Sequence, residues 1–279
     1  MLLDHGANIH AENVHGQTPL HMMSQRVFPT DESDLVQLLL SQGADVNARD
    51  KNQATALLLA CIHCKPKTAE GLLENGADIM AVNIHGQNAL HQVSSIEFYN
   101  VSSLDHDMLE LATILLKRGV DVNGRDKDER TPLHLASRGG DEVITKVLLN
   151  HRAQVNAEDT RGQTSLHHVI LGYQHNLTDS HGVVSWRSSP YYRRNYLRSA
   201  NHLAQQLLER GADVNAQNKD LETPLHLASR LRLHEMARIL LKHGADVSVK
   251  NSEGKSPLQL APGRKGKAMR RLLSEYSAK

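Results

Sequence analysis

Histidine is the most abundant candidate for a catalytic or metal-binding residue in this sequence, since 18 of its 279 residues are His. An imidazole can act as a general base, bind a transition metal or carry a proton near neutral pH. His234-Glu235 begins like the helix of a zinc protease, but position 238 is Arg where the second His ligand would stand. The spacing excludes that kind of zinc site.

Cysteine offers one further half of a metal site, Cys61-Ile-His-Cys64. A four-ligand zinc site needs a second pair, and the sequence contains no other cysteine with which to make one. Two cysteines this close in sequence also make no disulfide framework. We expect both thiols to lie in the core or near the surface, with no metal and no other cofactor.

Residues 261–268, APGRKGKA, come close to a phosphate-binding loop. Ala261 stands at the first glycine of that motif, and Ala268 stands where Ser or Thr would hold magnesium. No pattern for a serine nucleophile, a carboxylate pair or a calcium loop is present either. The sequence therefore predicts a non-enzymatic protein with no catalytic residues.

The histidines fall into a repeated block that reads Thr-Pro-Leu-His in its clearest form. The blocks begin at Thr18, Thr55, Asn88, Thr131, Thr164, Thr223 and Ser256. A second series, read on Gly-Ala-Asp, begins at Gly6, Gly43, Gly76, Gly119, Arg152, Gly211 and Gly244. Both series advance by 37, 33, 43, 33, 59 and 33 residues. The unit is therefore 33 residues long, with 4, 10 and 26 extra residues in its first, third and fifth copies.

Two copies, DERTPLHLASRGGDEVITKVLLNHRAQVNA (128–157) and DLETPLHLASRLRLHEMARILLKHGADVSV (220–249), resemble the ankyrin repeat. The resemblance covers nearly the whole chain. It implies an all-α solenoid in which each copy has a hairpin-like finger and two antiparallel helices. It also implies that the block histidines brace neighbouring copies by hydrogen bonds: His21, His91, His134, His167 and His226.

We assign the whole chain, 1–279, to one ankyrin-repeat domain. A partial repeat, 1–11, is followed by copies 1 to 6 at 12–48, 49–81, 82–124, 125–157, 158–216 and 217–249, and by a capping repeat at 250–279. Because the sequence begins inside a repeat, we expect either that the natural protein is longer or that the gene model is truncated. The basic, polar last repeat has the character that the end of a solenoid requires.

Four residues depart from the glycine pattern. Arg152 stands where other copies have the Gly that ends the second helix, so we expect a left-handed backbone at a cost of about 1 kcal/mol. Gln53, Glu129 and Leu221 replace the Gly in the fingers of copies 2, 4 and 6. We expect those three fingers to differ in shape.

The resemblance places partner contacts on the finger ends and on the exposed side of each first helix. In copies 1 to 3 these positions are apolar or imidazole, namely Val14, His15, Ile62, His63, Ile84, His85 and Ile96. In copies 4 to 6 they are charged, and we select Arg130, Arg138, Arg161 and Arg230 as candidate partner-binding residues. The alternative is that exposed loop residues are simply polar.

The extra residues fall between the two helices of their copies, at about 27–30, 97–106 and 173–199. Eight of the nine aromatic residues lie in or next to them. We take seven residues there as further candidates for partner binding: Phe98, Tyr99, Trp186, Tyr191, Tyr192, Arg193 and Arg194. The competing explanation is internal packing, with Trp186 or the Tyr191/Tyr192 pair against Phe98 and Tyr99. Ser189-Pro190 predicts a helix from about 190 to 210.

Charge and hydropathy limit the partners. Lys and Arg number 32 against 31 Asp and Glu, so the chain has no overall field that attracts nucleic acid or a membrane surface. It also has no apolar run long enough to span a bilayer and no signal peptide, so we expect an intracellular protein of the cytoplasm or nucleus. The favoured function is a scaffold or adaptor that binds a partner protein through its concave face and insertions, with no obligate small molecule. The alternative is nucleic-acid or nucleotide binding through the Arg- and Tyr-rich insertion and the basic C-terminus.

Overall fold

Every regular element in the described part of the chain is a helix. The computed structural model describes residues 8–25, 33–95, 102–175, 190–261 and 266–277, and within these ranges it contains fourteen helices and no strand. Each copy contributes one pair: α1 Pro19–Gln25 and α2 Ser33–Ser41, α3 Ala56–Ile62 and α4 Pro66–Glu74, α5 Ala89–Ser94 and α6 Ser102–Lys117, α7 Pro132–Gly139 and α8 Glu142–Asn150, α9 Ser165–His175 and α10 Pro190–Glu209, α11 Pro224–Leu231 and α12 His234–Lys242, α13 Pro257–Leu260 and α14 Lys267–Ser277. The predicted all-α architecture and the pairing of helices in every copy are confirmed.

The repeated block is the start of each first helix. In copy 4, Thr131 is the N-cap of α7 and Pro132 takes the first helical position, where its missing N–H is not needed. The main-chain N–H of Thr131 donates to Nδ1 of His134 over 3.0 Å. Because Nδ1 is an acceptor, the ring proton lies on Nε2, which is 3.0 Å from the carbonyl oxygens of both Ala157 and Gln163. One imidazole therefore caps its own helix and binds the next copy.

The same brace recurs in copies 1, 5 and 6. Nε2 lies 3.1 Å from a carbonyl oxygen of the following copy in each case, Ala54 for His21, Glu222 for His167 and Lys255 for His226. His91 is also buried, and its ring caps α5 through Asn88. The structural role implied for the block histidines is confirmed at these contacts.

In copies 1, 2, 3, 5 and 6 and in the last repeat, the finger is held by an Asn or Asp five residues before the block. In copy 5 the Asp159 carboxylate accepts from the N–H groups of Arg161, at 2.8 Å, and Gln163, at 2.9 Å. Equivalent pairs of bonds hold the fingers that contain Asn13, Asp50, Asn83, Asn218 and Asn251. A side chain that fixes the turn from outside makes the finger independent of glycine.

The expected difference in finger shape is wrong for the backbone. Gln53, Glu129 and Leu221 have φ of 58°, 60° and 55°, in the same left-handed region as Gly16 at 74° and Gly162 at 70°. The Asn or Asp contacts impose the turn whichever residue occupies this place, at the cost of local strain. The expectation for Arg152 is confirmed, since its φ is 66°.

Main-chain hydrogen bonds also connect successive fingers. Within residues 128–279, Thr160 N–H donates to the Asp128 carbonyl, Lys219 N–H to that of Arg161 and Ser252 N–H to that of Asp220, all over 2.9 Å. Within residues 1–127 the equivalent donors are Lys51, Ile84 and Lys127, and their acceptors are His15, Asn52 and His85. The acceptor in each finger directly follows the donor in sequence, so each inner finger is bound on both sides.

The chain divides into two compact units, 1–127 and 128–279. Leu57, Leu90 and Leu111 are fully buried in the first, and Leu148 and Leu166 in the second. Thin layers of Leu and Ala fill both cores, as expected from a sequence poor in aromatic residues. The assignment of the whole chain to a single domain stays a prediction.

The three insertions lie between the paired helices, where the register put them. Two of them lengthen the second helix, because α6 has 16 residues and α10 has 20, whereas α4, α8 and α12 have 9. Helix α10 begins at Pro190, so the prediction of a helix from about residue 190 is confirmed. The predicted packing of Trp186 on Phe98 and Tyr99 involves residues outside those that the structure describes.

Candidate protein-binding surface

In copies 1 and 6, two positions bring their side chains together along the first helix. They are the residue just before the block and the eighth residue of the block. In copy 6 these are Glu222 and Arg230, whose carboxylate and guanidinium pair at 2.6 Å. In copy 1 they are Gln17 and Gln25, whose amides hydrogen-bond at 3.1 Å. The two positions are therefore within reach of each other in copies 1 and 6.

Copy 4 has Arg130 and Arg138 at this pair of positions. Burial and the positive charges of Arg130 and Arg161 lower the pKa of Arg138 from its ordinary value, although the guanidinium stays charged. Arg130 pairs with Asp128 at 2.9 Å. Arg138 makes no ion pair or side-chain hydrogen bond with any residue that the structure describes. Three of the four arginines selected on the fingers and first helices are thus close enough for their charges to interact.

The fourth selected arginine is already neutralised, because Arg230 pairs with Glu222. Arg161 is exposed, and only its main chain takes part in the finger. Arg194 is exposed on α10. Tyr191, Tyr192 and Arg193 lie in α10, but their side chains are outside the description, as are Trp186, Phe98 and Tyr99. Their selection as partner-binding residues stays a prediction.

A buried His–Asp pair lies beside the arginines. Nε2 of His168 is 2.9 Å from the Asp159 carboxylate, and the His168 ring meets that of His134 edge to face at 5.0 Å between centroids. Burial alone would raise the pKa of Asp159, but hydrogen bonds from His168 and from two finger N–H groups outweigh it and lower the pKa to about 2. Nδ1 of His168 is buried without a hydrogen-bond partner among the described residues.

Sequence reasoning missed this pair. His168 is the fifth residue of its block, where copies 2, 4 and 6 have Leu59, Leu135 and Leu227. A histidine at a position where three other copies have Leu was the available signal. Burial lowers the pKa of His168 in spite of Asp159, so the ring is neutral at pH 7.

Tyr196 fixes the lengthened part of α10 to copies 4 and 5. Its hydroxyl is 3.1 Å from the carbonyl oxygen of Arg138 and 3.0 Å from that of Val169. A Cβ added at Gly172 would lie 2.0 Å from that hydroxyl, so only glycine leaves room for the ring. Internal packing is therefore the correct explanation for this aromatic residue of the third insertion.

The first unit presents apolar side chains instead. Val14 and Ile84 lie at finger ends and Met80 precedes the next finger, and all three are exposed, Val14 by 79%. Ile62 is also exposed, at the end of α3. The apolar character expected for copies 1 to 3 is present at Val14, Ile62 and Ile84, whereas Ile96 lies outside the described residues.

The cysteines have no site around them. Cys61 and Cys64 are both buried and unbridged, and burial raises the pKa of the Cys61 thiol. No group of three or more potential metal ligands occurs in the described ranges. Among the helices there, none combines the length and hydropathy of a membrane span.

Family models for ankyrin repeats match most of the chain. A model described as "Ankyrin repeats (3 copies)" matches residues 1–83 and 98–177, and one described as "Ankyrin repeats (many copies)" matches residues 207–261. Curated relatives include the mouse B-cell lymphoma 3 protein homolog, 33% identical over 54% of this chain, and human Rabankyrin-5, 31% identical over 59%. Human neurogenic locus notch homolog protein 2 is 31% identical over 54%. The matched segments span 32%, 13% and 6% of those relatives.

Solved ankyrin domains share the architecture. The crystal structure of the ankyrin repeat domain of Bcl-3, described as a unique member of the IkappaB protein family, aligns with a TM-score of 0.65 at 28% identity and covers 92% of this chain and 99% of that one. The human ASB11 ankyrin repeat domain aligns with a TM-score of 0.68 at 24% identity, over 93% and 98% of the two chains, and this likeness concerns the fold alone.

Proposed function

Because the chain belongs to the ankyrin-repeat family, we propose that it is a non-enzymatic scaffold or adaptor that binds a partner protein. Ankyrin repeats are typically a protein-interaction fold, and the contacts are proposed to lie at the finger ends, along the first helices and at the insertions. The observation that carries the proposal is the row of fingers within each unit. Hydrogen bonds hold each finger on its own Asn or Asp and on its neighbour, while side chains such as Val14, Ile84 and Arg161 stay exposed.

Rigid main chain with exposed side chains is the arrangement that favours binding. Ordering a loop on association costs free energy, and fingers that are already fixed avoid most of that cost. Arg138 is half-buried without an ion pair among the described residues, so a partner could supply one. The eleven candidates named from the sequence, from Phe98 to Arg230, remain proposed contacts on this basis.

We do not propose catalysis. The block histidines are the residues best suited to acid–base chemistry, but His134 and His226 have both ring nitrogens engaged, one in the helix cap and one on a carbonyl oxygen. An intracellular location, in cytoplasm or nucleus, is proposed because Cys61 and Cys64 are not joined in a disulfide, as is usual in reducing compartments. Nucleic-acid binding is not proposed, because no contact or relative described above favours it.

Site-specific photo-crosslinking in lysate tests the proposal. A photoreactive amino acid is placed at Val14, Ile84 or Arg161 on the fingers, and at Lys146 or Lys242 on second helices as matched exposed controls. We expect the same protein to be crosslinked from finger positions but not from control positions, with or without nuclease. Equal labelling from both sets, or crosslinks that vanish after nuclease treatment, would contradict a protein-binding scaffold.

A further inference from the structure

The arginines of copy 4 occupy positions that another copy uses for an ion pair. Where copy 6 has Glu222 bound to Arg230 at 2.6 Å, copy 4 has Arg130 and Arg138. The two copies have the same TPLHLASR sequence and helices α7 and α11 of equal length, so the backbone presents both pairs in the same way. A carboxylate that copy 6 supplies from its own chain is missing from copy 4.

The charge balance around the pair leaves Arg138 without a neutralising partner. Arg130 is bound to Asp128, and the Asp159 carboxylate is taken up by His168 and two finger N–H groups. Arg138 has neither an ion pair nor a side-chain hydrogen bond within the described residues, and Arg161 adds a third positive charge at the end of the next finger. The positive charges of Arg130 and Arg161 both act on the Arg138 guanidinium, so an anion beside Arg138 is electrostatically favoured.

We infer that Arg130 and Arg138, flanked by Arg161, form a clamp for a carboxylate side chain in an acidic segment of the partner protein. The inference rests on the proposed scaffold function and specifies one of its contacts. The carboxylate would take the place that Glu222 takes beside Arg230, where a planar guanidinium offers paired N–H donors. The half-buried setting of Arg138 strengthens such a pair relative to an exposed one.

The surrounding charges favour a carboxylate over a phosphate polymer. Asp128 and Asp159 lie beside the arginines, and Glu129 lies next to Arg130 in sequence. These acidic groups repel a ligand that carries a charge at every unit of its backbone, as nucleic acid does. A protein segment can place one or two carboxylates between neutral residues and so avoid that repulsion.

The test uses the full chain and a fluorescent peptide of alternating Glu and Gly, with the Gln/Gly peptide as the neutral probe. We expect fluorescence anisotropy to detect binding of the Glu peptide alone, and the affinity to fall with added salt. Arg138→Glu places an internal carboxylate beside Arg130 and should weaken binding by about tenfold or more. Lys146→Glu makes the same change of charge on α8 of the same copy and should leave the affinity unchanged.

Three results would overturn the clamp. They are an equal loss of affinity in Lys146→Glu, no loss in Arg138→Glu, and tighter binding of inorganic phosphate or single-stranded DNA than of the Glu peptide. Circular dichroism on each variant checks the fold, and Arg138→Gln serves if Arg138→Glu does not fold. The finger crosslinks from Val14 and Ile84 are measured in the same variants. If they persist while the Glu peptide does not bind, the scaffold function stands and the clamp is rejected.

Discussion

Copies 4 and 6 have nearly the same first helix but differ in the residues that connect it to the second helix. Both have the sequence TPLHLASR, a Thr N-cap and an imidazole that binds the next copy. Copy 4 ends its first helix with Gly140 and begins its second with Asp141, whose carboxylate accepts from the N–H of Ile144 over 2.9 Å. Copy 6 has Arg232 and the buried Leu233 at these two places.

The difference shows that local bonds and burial are interchangeable ways to hold a repeat. Copy 6 places an apolar side chain where copy 4 has a helix cap, and it pairs Arg230 with Glu222, whereas the half-buried Arg138 of copy 4 has no ion pair among the described residues. The backbone is the same because each copy contributes enough stability by either route. In copy 4 the first-helix position equivalent to Arg230 is Arg138, which has no ion pair among the described residues, and the candidate clamp lies there.

The largest expected effect is the loss of stability in acid. Burial lowers the pKa of His134 and of His167 to about 4, against an ordinary 6.5, so both rings are neutral when folded. Between pH 6.5 and 4 the unfolded chain binds more protons than the native one, so stability is fully present above 6.5 and lost as pH falls. Each ring contributes a slope of about 1.4 kcal/mol per pH unit in this window.

Urea unfolding at pH 7 and pH 5 measures that slope. His134→Gln should lower stability at pH 7 by about 1–3 kcal/mol but flatten the pH dependence. Glutamine is the matched choice because Gln259 caps the last copy at the same position. His226→Gln gives the comparison with copy 6, where burial also lowers the pKa. An unchanged slope in His134→Gln would show that this ring does not remain neutral.

The second largest change in stability is expected from removing the N-cap of α8. Asp141→Ala removes the acceptor for the N–H of Ile144 and should cost about 1–2 kcal/mol in the free energy of unfolding. Asp141→Asn keeps an acceptor oxygen and should cost much less. Equal losses in the two variants would mean that the charge of Asp141, and not its cap, stabilises copy 4.

Substitutions at the residue that follows the second helix should change stability by a smaller amount, with opposite signs in copies 4 and 6. Arg152→Gly relieves a left-handed arginine with φ of 66° and should stabilise the chain by about 0.5–1 kcal/mol. Gly244→Arg introduces the same strain in copy 6, where φ is 87°, and should destabilise it by a similar amount. Thermal midpoints measure both. A lower midpoint for Arg152→Gly would show that contacts of the arginine outweigh its strain.

The arginine doublet should give the smallest change in stability. Arg138→Glu replaces a repulsive pair with an attractive one and should raise stability by about 0.2–0.5 kcal/mol. Glu222→Arg makes the doublet in copy 6 and should lower stability by at least as much, because the Glu222–Arg230 pair is lost. High salt should shrink both differences. Differences that salt does not reduce would indicate a packing effect.

The fold could be predicted from the sequence because its signals are local and repeated. The block marks each first helix, Ser189-Pro190 marks the start of α10, and the glycine series identifies Arg152 as left-handed. The expected difference between fingers was wrong because the turn depends on the Asn or Asp five residues before the block and not on the glycine. That side chain, Asp50 in copy 2 for example, determines the turn.

The candidate site could be predicted only in part. The sequence identifies the arginines by their charge, but the ion pair between Glu222 and Arg230, at the positions equivalent to Arg130 and Arg138, is shown only by the structure. The His168–Asp159 bond and the fit of Tyr196 over Gly172 depend on packing between elements far apart in sequence. In the sequence, such contacts appear only as a single residue that differs from its equivalents in the other copies, so its partner cannot be identified.

The bonds between fingers have a consequence for how such a chain can change over time. The bond from Lys219 to Arg161 spans a copy with 26 extra residues, yet it has the same 2.9 Å length as the bond from Ser252 to Asp220 across a copy with none. Length added between the helices leaves the pitch of the finger row unchanged. The edge between the paired helices can therefore gain or lose segments by mutation while the spacing between fingers stays constant. The two edges of the repeat are free to evolve separately.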